Sequence, residues 1–220
     1  MNKKCIIIGV GLNIVPARLA LINVDVNDGD FIILVGSNSD ALSALVEFAR
    51  QVYQDLNIEV KPITIDTQVS LVDAVSTLRG MVEANSPCSV VIGIAGDRWI
   101  TTILSFLAMT LATVGGFVNI NVDRVFVMPG EKGEPVNWPI VPRLIDLSPV
   151  EYRILKLICS GYSLAKEITK GYTSRFNETI SLPTVERILA KLRVKGLVNS
   201  KHSGRALAYE ETQLGKTLTC

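Results

Sequence analysis

The stretch VVIGIAGDRWITTILSFLA (residues 90–108) joins an apolar run, a turn containing glycines and the start of a long uncharged segment. The β-branched residues before Gly93 are typical of a buried strand. Asp97 and Arg98 are the only charged residues between Glu83 and Asp123, and they stand where the apolar segment begins. A strand, a tight turn and a long helix in this order predict one βα unit of a parallel sheet.

The same alternation of strand and helix patterns extends over the first 128 residues. We predict five strands, at residues 5–10, 31–35, 58–65, 89–94 and 122–127, and four helices between them, at residues 14–22, 41–56, 69–84 and 98–114. Strands that are apolar throughout and separated by helices predict a parallel sheet covered on both faces. A short antiparallel edge strand is expected around residues 136–140. The predicted fold class is therefore α/β, with a Rossmann-like, mostly parallel sheet.

The pattern changes after the segment NWPIVPRLIDLSP (residues 137–149), whose three prolines are typical of a stiff linker. Ser148 and Pro149 have the residue types of a helix start, and two further helices, a basic hairpin and a terminal helix follow. Three helices and a hairpin in about seventy residues predict a winged helix-turn-helix domain. We place the domains at residues 1–140 and 149–220, with a linker at residues 141–148.

The charge of the chain differs sharply between these two parts. The 220 residues carry a formal net charge of +1, but residues 1–146 sum to −5 and residues 147–220 to +6. A hydrophobic content of 48% with 20% charged residues excludes a disordered chain. The basic C-terminal part therefore predicts an acidic partner.

The third helix of the C-terminal part has one apolar and one basic stripe. Its apolar stripe is Val185, Ile188, Leu189 and Leu192, and the neighbouring stripe has no acid. We expect arginine to reach base edges in the major groove of double-stranded DNA and lysines to neutralise phosphates. The predicted DNA contacts on the helix and hairpin are Thr184, Arg187, Lys191, Lys195, Lys201, His202 and Arg205. A merely solvated basic face is the alternative, and no metal site is expected because His202 has no partner at ligand spacing.

Two glycine-containing loops of the N-terminal part follow predicted strands. They are GVGLN (residues 9–13) and IAGDRW (residues 94–99). Glycines let backbone N–H groups approach an anion, and a following helix N-terminus adds a favourable dipole. Arg98 is suited to hold a phosphate and Asn13 to contact a base or ribose. The alternative is that tight turns explain the glycines and that Asp97 caps a helix beside a structural Arg98.

Ordinary dinucleotide and ATP sites are disfavoured. The dinucleotide fingerprint needs a glycine where the chain has Ile14, and the second strand ends in Gly36, Ser37 and Asn38 instead of an acid. The chain contains no P-loop motif.

At these loops, and in its order of domains, the chain resembles the archaeal CRISPR-associated transcription regulators. These join a CARF (CRISPR-associated Rossmann fold) domain to a C-terminal winged helix. The resemblance implies a two-fold homodimer that binds a cyclic oligoadenylate across its axis, with cyclic tetra-adenylate as the expected ring. It also implies a regulator that acts at a promoter or CRISPR leader. The matching positions are Gly9, Val10, Gly11, Leu12 and Asn13 in the first loop and Ala95, Gly96, Asp97 and Arg98 in the second, with Ser37 at the same edge. Asp97, which adds negative charge beside a polyanion site, and Trp99 depart from the family pattern. The two interpretations of Trp99 are stacking on an adenine and packing in the core, and we expect the core.

The alternatives to a non-enzymatic regulator are a CARF-type ring nuclease that cleaves its cyclic ligand and a repressor that senses NAD(H). We assign no catalytic residue and no cofactor. Cys5 and Cys88 begin apolar runs and are interpreted as buried small hydrophobic residues. The first apolar run predicts a strand instead of a secretion signal, so we expect a cytoplasmic protein. The uncharged residues 99–118 are expected to form a buried or interface helix, with no membrane as partner.

Overall fold

The computed structural model describes residues 3–131, 133–203 and 206–220. The chain divides into two compact units, which span Met1–Leu144 and Ile145–Cys220. The division falls between residues 141 and 148, inside the proline-containing segment 137–149.

The N-terminal unit is built on a six-stranded sheet. Its strand order is β3-β2-β1-β4-β5-β6, and every neighbouring pair is parallel except β5 and β6. The elements are β1 (Lys4–Val10), α1 (Val15–Ile22), β2 (Phe31–Gly36), α2 (Ser39–Val52), β3 (Glu59–Thr64), α3 (Leu71–Ala84), β4 (Cys88–Ile94), α4 (Arg98–Val114), β5 (Ile120–Val127) and β6 (Val136–Asn137). This α/β arrangement is Rossmann-like, as predicted, although β6 is shorter than expected.

Helices cover both faces of this sheet. Side chains of α1 and α2 pack on one face, and side chains of α3 and α4 pack on the other. The central strands β1 and β2 are buried along nearly their whole length, which explains why their sequences are apolar throughout. β3 is largely exposed and carries Pro62, a residue that an edge strand tolerates.

The uncharged helix α4 belongs to the core of this unit. By length and composition alone, Arg98–Phe117 is the one segment of the described chain that could cross a membrane. Its buried residues instead pack against the sheet and α3; among them are Ile100, Ile103, Leu104, Leu107 and Leu111. The helix stops at Gly115, where a Cβ would lie 2.7 Å from the carbonyl oxygen of Ile120. The prediction of a buried helix is confirmed.

The described part of the C-terminal unit contains four helices and one antiparallel pair of strands, which we call the hairpin. They are α5 (Pro149–Cys159), α6 (Ala165–Phe176), α7 (Leu182–Val194), β7 (Val198–Ser203), β8 (Ala206–Glu211) and α8 (Gln213–Thr219). A bridge between Leu164 and Ala208 joins the hairpin to the segment before α6. The apolar stripe of α7 is buried as its spacing predicts.

The four cysteines fall into two pairs. Cys5 and Cys88 are buried in the N-terminal unit, as predicted, and the hydrogen bond with Cys88 and burial raise the pKa of the Cys5 thiol. Cys159 and Cys220 form a disulfide across a separation of 61 residues. Their spacing does not reveal this pairing, because it depends on α8 packing against α5. The disulfide links the end of α5 to the residue after α8.

Candidate functional site

The two glycine loops lie side by side at the carboxyl ends of β1 and β4. These strands are neighbours, with Ile8 of β1 paired with Gly93 of β4. A Cβ on Gly9 would overlap the carbonyl oxygen of Ala95, and one on Gly11 would lie 3.0 Å from the Cα of Gly96. Gly96 has φ +106°, which side chains rarely adopt. The glycines are therefore needed for the close contact between the loops, whatever else the loops bind.

This place in the sheet is a topological switch point. The helix after β1 covers one face and the helix after β4 covers the other, so the chain leaves the two strands in opposite directions. Open α/β sheets bind ligands in the crevice outside the carboxyl ends of such strands. Ser37, which follows β2, lies at the same edge.

Asp97 caps α4, as in the alternative interpretation in which this residue has a structural role. Its Oδ1 accepts hydrogen bonds of 2.9 Å from the backbone N–H groups of Trp99 and Ile100. Its Oδ2 accepts a bond of 2.7 Å from the hydroxyl of Ser37, which ties the end of β2 to the end of β4. These two N–H groups are thus satisfied within the protein. The expected anion contact with the N-terminus of α4 is therefore not supported at these two groups.

Asn13 is engaged in a similar manner at the start of α1. Its Oδ1 accepts a bond of 3.0 Å from the N–H of Val15, and its Nδ2 donates to Glu131 at 2.5 Å. The sequence alone does not indicate Glu131, because it follows β5 and lies more than a hundred residues away. To contact a nucleotide, the Asn13 amide must exchange its bond with Glu131.

Arg98 is a cation at this edge without a partner among the described residues. Its side chain is exposed, and its guanidinium has no hydrogen-bond or ion-pair partner in the part of the chain that the structure describes. Leu12 is 80% exposed at the tip of the first loop, whereas Val10 and Ala95 are buried and offer only their backbone. Trp99 packs against the core, as predicted, with its indole nitrogen buried. Any anion held here would therefore meet Arg98 and loop backbone.

In the C-terminal unit, α7 carries two cations without partners. Arg187 and Lys191 are exposed, and neither forms an ion pair or hydrogen bond with any described residue. They border a cleft of about 370 Å³ that also contains Glu151, Glu178 and Thr184. The hydroxyl of Thr184 is hydrogen-bonded to that of Ser181, which caps the helix.

Lys195 differs from these cations. Its ammonium lies 2.9 and 3.0 Å from the two carboxylate oxygens of Glu151 and 2.7 Å from the carbonyl oxygen of Asp146. Burial would raise the pKa of Glu151, but hydrogen bonds from Ser148 and Lys195 outweigh burial and hold that pKa below its ordinary value. The pair fastens the end of α7 to the start of α5. This geometry favours a structural role for Lys195 over the predicted phosphate contact.

The hairpin places two of its three predicted DNA contacts on β7. Lys201 and His202 are exposed, and the Lys201 ammonium lies 2.6 Å from a carboxylate oxygen of Glu210 on β8. An exposed pair of this kind contributes little to stability and is easily exchanged for a phosphate. Arg205 lies outside the described residues.

Two exposed apolar residues of α7 were not predicted as part of this surface. Ala190 and Val194 lie beside Arg187 and Lys191, and Val194 is 87% exposed. The sequence shows their spacing of four residues, but the basic stripe does not include them.

No protein-family model and no curated protein matches the chain. One similar solved structure is described as the complex structure of hsRosR-S4; it is 20% identical, covers 33% of this chain and 65% of that chain, and has a TM-score of 0.32. Another is a Type III CRISPR defence DNA nuclease activated by cyclic oligoadenylate; it is 13% identical, covers 94% of this chain and 37% of that chain, and has a TM-score of 0.40. The chain spans less than two thirds of either protein, and similarity at this level does not extend to function.

Proposed function

We propose that the chain is a ligand-responsive, DNA-binding transcription regulator of a CRISPR system. In this proposal the C-terminal unit is a winged helix-turn-helix domain that binds double-stranded DNA at a promoter or CRISPR leader. The N-terminal unit is a CARF-type domain that forms a homodimer and binds a cyclic oligoadenylate, with cyclic tetra-adenylate as the first candidate.

The observation that carries the proposal is the pair of cations on α7 that have no partner among the described residues. Arg187 and Lys191 are exposed on a helix whose opposite face is buried in the core. A free guanidinium can bond to O6 and N7 of a guanine, and a free ammonium can neutralise a phosphate. The hairpin that follows adds Lys201 and His202 on an exposed strand. A helix for the major groove followed by a basic hairpin supports duplex DNA as the partner.

The proposed ligand site is the edge formed by the two glycine loops. Arg98 supplies a cation there that no described residue pairs with, and the switch point supplies a crevice. A two-fold dimer would bring two copies of Arg98 to a symmetric ring of phosphates. The side chains of Thr101, Thr102, Ser105 and Met109 form an uncharged outer face of α4, which we propose as part of the dimer contact.

We propose that the chain binds the ring without cleaving it. Ring opening requires a ribose hydroxyl to attack a phosphate, and a general base assists that step. The single histidine of the chain, His202, belongs to the other unit. At the loop edge, the hydroxyl of Ser37 already donates a hydrogen bond to Asp97.

The DNA-binding proposal is tested with Arg187→Ala, using full-length protein and a duplex obtained by in vitro selection. We expect the variant to lose about 1–3 kcal/mol of affinity for the selected duplex and much less for random DNA. Arg50→Ala is the matched control, because Arg50 is an exposed arginine in the last turn of α2. Unchanged discrimination in a folded Arg187→Ala variant would contradict the recognition-helix assignment.

The ligand proposal is tested by calorimetry with cyclic tetra-adenylate on the wild type and Arg98→Ala. A charge-assisted contact is worth about 1.5–3 kcal/mol, so the loss of both copies in a dimer should cost about 3–6 kcal/mol. That loss abolishes measurable binding from a micromolar start. Thermal stability should not change, because Arg98 makes no side-chain bond to any described residue. Equal affinity of the two proteins for the ring would exclude this edge as the site.

A further inference from the structure

The exposed face of α7 carries two apolar side chains beside two cations. Arg187, Ala190, Lys191 and Val194 are spaced i, i+3, i+4 and i+7, so they form one stripe along the helix. All four are exposed, and Val194 is 87% exposed. The opposite stripe supplies the core contacts of α7, so packing within the described unit does not require an apolar residue at position 194.

The stripe has the chemistry of a surface for an anionic partner that carries small apolar groups. Ala190 and Val194 line a shallow groove together with Arg187, Lys191 and Lys195. A stable protein–protein contact buries far more apolar surface than an alanine and a valine provide. The major groove of DNA fits better, because phosphates border it and each thymine presents a methyl group within it.

We propose that Val194, with Ala190, contacts thymine methyl groups and thereby determines part of the DNA sequence that the chain prefers. This inference rests on the proposed function and adds a specificity-determining residue to it. Seven residues of helix extend about 10.5 Å, which matches about three base pairs at 3.4 Å each. The stripe therefore suits a short sequence in which a guanine contacted by Arg187 lies within about three base pairs of a thymine contacted by Val194.

The test replaces single thymines of the selected duplex by uracil, which removes only the 5-methyl group. For the wild type, we expect one replacement to weaken binding about threefold to fivefold, from about 0.8 kcal/mol per buried methyl group. Val194→Ala should bind the thymine duplex more weakly by a similar factor and should not distinguish uracil from thymine at that position. The variant keeps its fold, because alanine favours a helix more than valine does. Val52→Ala, which alters an exposed valine of α2, should retain the full preference for thymine.

The outcomes separate this inference from the proposed function. Wild-type protein that binds the selected duplex but tolerates uracil at every thymine overturns the inference and leaves DNA binding intact. The inference is also overturned if the losses of binding free energy from Val194→Ala and from uracil are additive. Two groups in contact are expected to couple, so that the second change costs little once the first is made. A change of oligomeric state in Val194→Ala with no change in thymine preference would assign the stripe to a protein interface instead. Failure to bind any duplex overturns the proposed function itself.

Discussion

Lys191 of α7 and Lys195, which follows the last residue of this helix, are expected to respond differently to the same substitution. Lys191→Ala removes an exposed ammonium that has no partner among the described residues. Lys195→Ala removes an ammonium that bonds to both carboxylate oxygens of Glu151 and to the carbonyl of Asp146. We expect the first variant to lose DNA affinity and the second to lose stability.

The loss of stability expected for Lys195→Ala follows from how deeply the Lys195–Glu151 ion pair is buried. The Glu151 side chain is 9% exposed and the Lys195 side chain 29% exposed. Breaking a fully buried pair costs about 3–5 kcal/mol, and exposed pairs are worth about 0–1 kcal/mol. Glu151 also keeps its bond of 2.8 Å from the N–H of Ser148. We therefore expect Lys195→Ala to cost about 2 kcal/mol, which corresponds to a lowering of Tm of about 8–16 °C for a domain of this size.

The assay follows each unit separately in the full-length protein. Trp99 and Trp138, the two tryptophans of the chain, lie in the N-terminal unit, so their fluorescence reports its unfolding. Circular dichroism also detects the helices of the C-terminal unit. Lys195→Ala should lower the midpoint temperature of an unfolding transition seen by circular dichroism. The midpoint of the transition seen by tryptophan fluorescence should not change.

Salt dependence of DNA binding provides the second readout. Lys191→Ala should reduce the slope of log affinity against log salt by about one, since one phosphate contact is lost. Lys195→Ala should leave that slope unchanged at temperatures where the protein is folded. A stable Lys195→Ala variant whose slope falls by one would refute the structural assignment and restore Lys195 as a phosphate contact.

Three further outcomes are expected. Gly9→Ala should destabilise the N-terminal unit by about 1–3 kcal/mol in urea denaturation, because its Cβ overlaps the carbonyl of Ala95, whereas Gly80→Ala on an open helix surface should not destabilise it. Asp97→Ala should cost about 1 kcal/mol in the same measurement through loss of the helix cap, and an unchanged unfolding free energy would contradict that role. The pKa of Glu151 is lower in the folded chain than in the unfolded chain. Ionised Glu151 therefore stabilises the folded state above about pH 4.3, and this contribution is lost as pH falls through the folded pKa. Urea titrations at several acidic pH values should show this loss in the wild type and a smaller one in Lys195→Ala.

The architecture could be predicted from the sequence because burial leaves a direct mark on it. Strands covered on both faces are apolar at every position, as in β1 and β2, and α7 buries the stripe that its periodicity shows. The two glycine loops could be placed at one edge because parallel strands end together.

The partners of individual polar groups could not be predicted, because they lie far apart in the sequence. A helical wheel places Lys195 beside Arg187 and Lys191, but only the fold brings it to Glu151, 44 residues earlier. The bond between Ser37 and Asp97 spans 60 residues, and it engages a carboxylate that the sequence leaves open to a ligand or to the helix. The disulfide between Cys159 and Cys220 could not be predicted for the same reason, because its two residues are 61 positions apart.

The most direct test of the proposed function joins its two halves in one measurement. The affinity of the full-length protein for its selected duplex is measured by fluorescence anisotropy with and without saturating cyclic tetra-adenylate, for the wild type and Arg98→Ala. Coupling between two sites commonly amounts to 1–3 kcal/mol, so we expect the ring to change wild-type affinity at least fivefold and to have no effect on Arg98→Ala. Wild-type affinity that is the same with and without the ring would contradict a ligand-responsive regulator of this kind.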